Sequence, residues 1–217
     1  MFFKAVIFDL DGTLLDTLSD LGDSMNSVLE RHGFPSHDLE SYKYMIGDGV
    51  EALVKRALPE SINDEDSVIK FIAEYRSEYK KNWNNKTGPY AGIVELIESL
   101  HSLGLKIAVF SNKPHDSTEI CVREFLPFDK FDIVLGHRPE KDLKPDPGGA
   151  LEIAEQLNIP PDQILYLGDT SVDMKTAVAA GMYPVGVLWG FRTESELLES
   201  GAKELINRPA ELLRIIR

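Results

Sequence analysis

The chain has 217 residues, 43% of them apolar and 27% charged, and a formal net charge of −13 from 23 basic and 36 acidic residues. That length supports a sizeable core, in one domain or one domain with a smaller insert, and the acidic balance argues against nucleic acid or an anionic membrane as partner. A single cysteine, Cys121, excludes an internal disulfide, and any anionic substrate would need positive charge supplied at its own site.

The N-terminus, MFFKAVIFDLDG, has too short an apolar run for a secretory signal and lacks a small-residue cleavage site. The longest uncharged stretch, 176–191, is broken by Gly181, Pro184 and Gly186 and is too short to cross a bilayer. A cytoplasmic location is therefore expected. Lys4 to Phe8 is predicted to be a strand buried on both faces, since it is apolar without polar alternation. Residues 18–84 carry no strand signal. Leu18, Leu21, Met25 and Val28 recur at helical spacing up to Gly33, Val50 to Leu58 is a second helix, and Val68, Ile72, Tyr75, Tyr79 and Trp83 mark a third. This is too much for a loop and predicts a helical insert. The boundaries expected are 17–85 for the insert, with 1–16 and 86–217 forming the main domain.

Beyond the insert, helix and strand alternate. Ile93 to Leu103 is helical and stops at Gly104, ahead of a strand from Lys106 to Phe110. Helices at 116–125, 147–157 and 171–180 separate further strands at Asp132 to Leu135, Ile164 to Leu167 and Pro184 to Leu188. Such alternation predicts an α/β fold, a Rossmann-like parallel sheet with right-handed crossovers.

Ligands of an open parallel sheet bind beyond the carboxyl ends of its strands. Asp9, Asp11, Gly12 and Thr13 follow the first strand, and Ser111, Asn112 and Lys113 the second. Lys144 lies in the loop after the third, and Gly168, Asp169 and Asp173 follow the fourth. Each piece alone has a plain structural reading as turn or helix-cap chemistry. Together they bring four segments to one edge. Three gathered carboxylates would raise one another's pKa values, and a hard dication such as Mg²⁺ relieves that conflict. Asp173, four residues after Asp169, is expected to face the same way on a helix and to orient Lys144 or a metal-bound water.

With these residues in view, the chain resembles the haloacid dehalogenase (HAD) superfamily. DLDGT at 9–13, SNK at 111–113, KP at 144–145 and GDTSVD at 168–173 stand in that family's order and spacing. The resemblance implies a Rossmann-like core with a helical cap of the C1 type inserted after the first strand. It implies that Asp9 is the nucleophile and Asp11 the general acid and base. It also implies that Asp9, the main-chain carbonyl of Asp11, and Asp169 bind Mg²⁺, while Ser111 and Lys144 hold a phosphoryl group. Backbone N–H groups around Gly12, Thr13 and Asn112 are expected to add phosphate contacts. The family's dehalogenases lack the second aspartate, which argues against a carbon–halogen substrate.

IGDGVEALV in the insert, NKP at 112–114, LWGFRTESEL at 188–197 and INRPAELLRII near the end resemble the phosphoglycolate phosphatase branch. The expected activity is Mg²⁺-dependent hydrolysis of a small phosphorylated metabolite, 2-phosphoglycolate first, through an aspartyl phosphate. A phosphosugar mutase or a pyrophosphatase on the same scaffold is the alternative within this chemistry. A phospho-accepting receiver-type signalling module is the alternative from another class. Gly47 and Gly49, ahead of a helix start, are candidate substrate contacts, against a plain Gly-rich turn, with Asp48 counting against an anion there. Arg192 is weighed as a solvated loop residue in preference to one that reaches the site.

Overall fold

The computed structural model describes residues 3–62 and 64–216. In chain order the elements begin with β1 (Ala5–Phe8), β2 (Leu15–Asp16), α1 (Leu18–Arg31), α2 (Leu39–Met45), α3 (Val50–Ala57), α4 (Glu65–Asn82) and β3 (Gly88–Pro89). They continue with α5 (Ile93–Ser102), β4 (Lys106–Pro114), α6 (His115–Phe125), β5 (Ile133–His137), α7 (Gly148–Leu157) and β6 (Ile164–Gly168). The last are α8 (Ser171–Ala179), β7 (Tyr183–Val187), α9 (Glu194–Glu199), β8 (Glu204–Ile206) and α10 (Leu212–Ile215). The chain divides into two compact units, Asp16–Gly88 and Met1–Leu15 with Pro89–Arg217.

The larger unit is built on a six-stranded parallel sheet in the order β5-β4-β1-β6-β7-β8. The chain leaves β1 for β4 and β5 on one side, then returns to β6, β7 and β8 on the other. The strand order thus reverses at β1, and a crevice opens there beyond the carboxyl ends of β4, β1 and β6. β1 is buried at every position because both of its neighbours are strands and both faces are covered, which explains its unbroken apolar run. On one face Ala5, Ile7, Ala108, Phe110, Ile164 and Tyr166 pack with Ile153 of α7 and Ala177 of α8.

Among the departures from the sequence expectation are two in the six-stranded sheet. β4 continues past Phe110 to Pro114, with its pairing to β5 shifted between Phe110 and Pro114. β8, three residues with an exposed first position, is a sixth strand too short to carry a pattern.

The smaller unit, Asp16–Gly88, is helical. α1 packs on α4 and α2, and α3 packs on α4 and α2, around Met25, Val28, Leu29, Tyr42, Val54, Phe71 and Tyr75. α2 and α4 are capped by Asp38 and Asp64, whose carboxylates accept the N–H of Ser41 and Ser67. α2 carries one buried residue, Tyr42, and so offers no periodic signal. Asp20 is buried in α1 and accepts from the N–H groups of Lys86 and Thr87 and from the Thr87 hydroxyl at 2.8–3.0 Å.

Candidate active site

At the crevice, Asp9 directly follows β1, and its N–H continues the ladder by donating to the Leu167 carbonyl at 2.9 Å. The carboxylate therefore stands where the sheet ends, buried, because β1 is central. Lys144 is buried beside it. Its Nζ donates to Asp9 Oδ1 at 2.8 Å, to Asp173 Oδ1 at 2.7 Å and to the Phe110 carbonyl at 3.1 Å. Asn112 locks the lysine's main chain from both sides: its Oδ1 accepts from the Lys144 N–H at 2.8 Å and its Nδ2 donates to the Lys144 carbonyl at 3.2 Å.

Asp169 and Asp173 come from the β6–α8 junction. Asp169 precedes the helix, so the helical i,i+4 relation expected from the sequence does not hold: α8 begins at Ser171. A capping box folds Asp173 back instead. The Thr170 hydroxyl and N–H both donate to Asp173 Oδ2, at 2.6 and 3.1 Å, and the Asp173 N–H points at the Thr170 hydroxyl. Asp169 accepts from the Thr13 hydroxyl at 3.0 Å and from the Phe191 N–H at 2.8 Å.

The turn after Asp11 serves this packing. Gly12 has φ +89°, and a Cβ there would lie 2.3 Å from Asp169 Oδ2, so only glycine lets the turn approach the carboxylate. The groups of Gly12 and Thr13 expected to meet phosphate have partners inside the protein. The Gly12 N–H is bonded to the Leu15 carbonyl at 2.8 Å, the Thr13 N–H to Leu10 at 3.3 Å, and the Thr13 hydroxyl to Asp169. The turn closes its own hydrogen bonds and holds Asp169.

Asp9, Asp169 and Asp173 each offer a carboxylate oxygen within 4.8 Å of the others. Against these three charges stand the Lys144 ammonium and, towards Asp169, the Arg192 charge. Burial, then the neighbouring Asp173 charge, pushes Asp9 well above the usual carboxylate range, with Lys144 pulling the other way. The same two causes push Asp169 up to about 7, opposed by the Phe191 N–H, the Thr13 hydroxyl and the Arg192 charge. Burial disfavours the charge on Lys144, but Asp173 and Asp9 outweigh it and hold that pKa well above the ordinary lysine value. A cluster with surplus negative charge and only oxygen donors could hold a divalent cation.

The structure thus brings Asp9, Asp11, Gly12, Thr13, Ser111, Asn112, Lys144, Asp169 and Asp173 to one edge. Gly47 and Gly49 lie in the helical unit, with φ +118° and +88°, Gly49 as the N-cap of α3. There Asp48 is paired with Arg56 at 2.6 Å, which offsets its charge.

Three residues near the crevice have contacts that the sequence reading does not assign. Lys113, buried at the end of β4, reaches Asp11 at 3.1 Å. Its signal was the i,i+2 spacing to Ser111 on a strand that runs further than its apolar stretch. Trp189 donates its Nε1–H to the Thr13 carbonyl at 2.9 Å, tying the segment after β7 to the turn. Arg192 is the third, and the expectation of a solvated residue is corrected. Its side chain is 7% exposed, its Nε lies 3.3 Å from Glu196, and its charge is felt at Asp169.

Residues 6–187 match the haloacid dehalogenase-like hydrolase family. The chain belongs to that family. Among curated relatives, a phosphoglycolate phosphatase of Nitrosospira multiformis is 32% identical over 217 residues, covering 99% of this chain and 96% of the relative. One from Aquifex aeolicus is 28% identical over 214 residues, covering 98% and 96%. A crystal structure from Lactobacillus delbrueckii subsp. bulgaricus superposes with TM-score 0.93 at 30% identity, covering 100% of this chain and 99% of that one. This HAD chain is therefore a hydrolase with the family's fold, on a phosphoglycolate phosphatase-like branch. Among the described residues, no helix is long and apolar enough to cross a membrane.

Proposed function

We propose that this hydrolase is a Mg²⁺-dependent phosphatase that hydrolyses a small phosphorylated metabolite, with 2-phosphoglycolate the first candidate, through an aspartyl phosphate on Asp9. The observation that carries the reading is the buried group in which the Lys144 ammonium joins Asp9 to Asp173 beside Asp169. In water, phosphate monoesters hydrolyse so slowly that enzymes accelerate them by up to about 10²¹-fold, mostly through positioning and charge neutralisation. Asp9, the Asp11 carbonyl and Asp169 are the proposed holders of Mg²⁺, which when bound neutralises phosphoryl charge.

The chain's own residues supply the rest. Lys144 and Ser111 hold the phosphoryl oxygens, with the Asn112 backbone adding to them. Asp9 attacks phosphorus in line as its bond to the leaving oxygen breaks. Asp11 gives its proton to that oxygen, then takes one from the water that cleaves the acyl phosphate. The relatives' names support 2-phosphoglycolate as substrate. The hydrolase family match and the helical unit favour this reading over a receiver-type module.

A panel of phosphorylated metabolites, assayed for phosphate release with Mg²⁺ and with chelator, tests the proposal. 2-Phosphoglycolate should give the highest kcat/KM, and Asp9→Asn should lose at least about 10³-fold. Isomerisation of a sugar phosphate in preference to phosphate release, or an active Asp9→Asn, would contradict it.

A further inference from the structure

We propose that Lys113 is the positioning residue for Asp11, holding by its ammonium the carboxylate that serves the leaving oxygen; this rests on the phosphatase reading above.

Lys113 Nζ lies 3.1 Å from Asp11 Oδ1 and 3.3 Å from Oδ2, across 102 residues of sequence. The lysine side chain is 4% exposed and the aspartate 13%. Burying a lysine at a strand end costs several kcal/mol unless a charge receives it, so this contact is a built one. Both ends of the lysine are fixed. Its N–H donates to the Ser111 hydroxyl at 3.2 Å, and its carbonyl accepts from the Thr118 hydroxyl at 3.1 Å. β4 departs from its regular pairing with β5 just here, the kind of irregularity that re-aims side chains at strand ends. Gly136 of β5 makes room, since a Cβ there would lie 2.7 Å from the Lys113 carbonyl.

The crevice therefore holds two separate charge groups. Lys144 serves Asp9 and Asp173, and Lys113 serves Asp11. In this arrangement the Asp11 carboxylate is aimed by a rigid strand end from outside its own loop. The gain is in geometry, because misplacing a reacting group by about 1 Å can cost about 10²-fold.

The test is a double-mutant cycle on p-nitrophenyl phosphate with Mg²⁺, using Lys113→Met, Asp11→Asn and the pair. Lys113→Met should lower kcat about 10²-fold with KM within about twofold, and Lys113→Arg should recover most of the loss. In the Asp11→Asn background, Lys113→Met should cost less than about threefold more. Three results would each overturn the inference: full activity in Lys113→Met, a raised KM at unchanged kcat (a substrate contact), or the same loss in both backgrounds. If Lys113→Met fails to fold, Lys113→Gln carries the same cycle. A wild-type enzyme that releases phosphate neither from p-nitrophenyl phosphate nor from the metabolite panel would remove the phosphatase reading and this inference together, whereas an active one, cycled on whichever ester it hydrolyses, with any of those three results removes the inference alone.

Discussion

Two ion pairs of the helical unit are local and wet: Lys43 meets Glu40 three residues away, and Lys55 meets Glu51 four residues away, at side-chain exposures of 47% and 64% for the latter pair. In the sheet unit Lys144 reaches Asp9 across 135 residues with 2% of its side chain exposed. Pairs of the first kind are worth a few tenths of a kcal/mol and follow from helix geometry. The second kind costs desolvation that a hydrophobic replacement would avoid, so its presence points to chemistry. Asp20 sharpens the distinction. It too is a buried carboxylate, but main-chain N–H groups and one hydroxyl receive it, and its work is to hold α1 to residues 86–87. Asp20 stands apart from the carboxylate cluster, so its donors meet its charge and its role is structural. Asp9 and Asp173 share one lysine with Asp169 beside them, which leaves charge over for a cation.

The largest test of this contrast is Lys144→Met. It should reduce phosphate release at least about 10³-fold and, by leaving Asp9 and Asp173 buried without their cation, lower stability by about 3–5 kcal/mol at pH 8. Enzyme assay and urea unfolding would show both, and an active, undiminished variant would erase the distinction. Next is Asp20→Ala, expected to cost about 2–4 kcal/mol in urea unfolding because three donors lose their acceptor. Mg²⁺ affinity by calorimetry should stay unchanged; a loss of affinity would mean that Asp20 belongs with the functional carboxylates.

A smaller effect follows from Asp169, whose folded pKa of about 7 exceeds its ordinary value of 3.8. The folded protein then binds the extra proton, so this group's stabilisation is full at acid pH and is lost as pH rises through about 7. Mg²⁺ should offset that loss, raising Tm more at about pH 8 than at about pH 5.5. An equal shift at both would contradict a cation on this carboxylate. The smallest is Lys55→Ala, within about 0.5 kcal/mol by urea unfolding; a change above about 1 kcal/mol would blur the contrast between the units.

The sheet and its polar edge were legible for one reason. A central parallel strand is apolar throughout, so its end is visible as the first polar residue, Asp9 after Phe8 or Asp169 after Gly168. The rest was hidden where that contrast fails. Lys113 sits in a strand that continues through polar residues, and β8 is too short to show a pattern. The buried state of Arg192 and the contacts of Trp189 and Phe191 with the turn and with Asp169 depend on how a loop folds over the crevice, which no local spacing records. The self-closed hydrogen bonds of Gly12 and Thr13 also needed coordinates, since the same residues suit a phosphate-binding turn.

The most direct measurement is to acid-quench the enzyme during turnover with Mg²⁺, reduce the protein with borohydride and map the modified residue by mass spectrometry. A single aspartate should be converted to homoserine, at position 9. Conversion at Asp11 or Asp169, or a fully active enzyme that never yields a reduced residue, would contradict it.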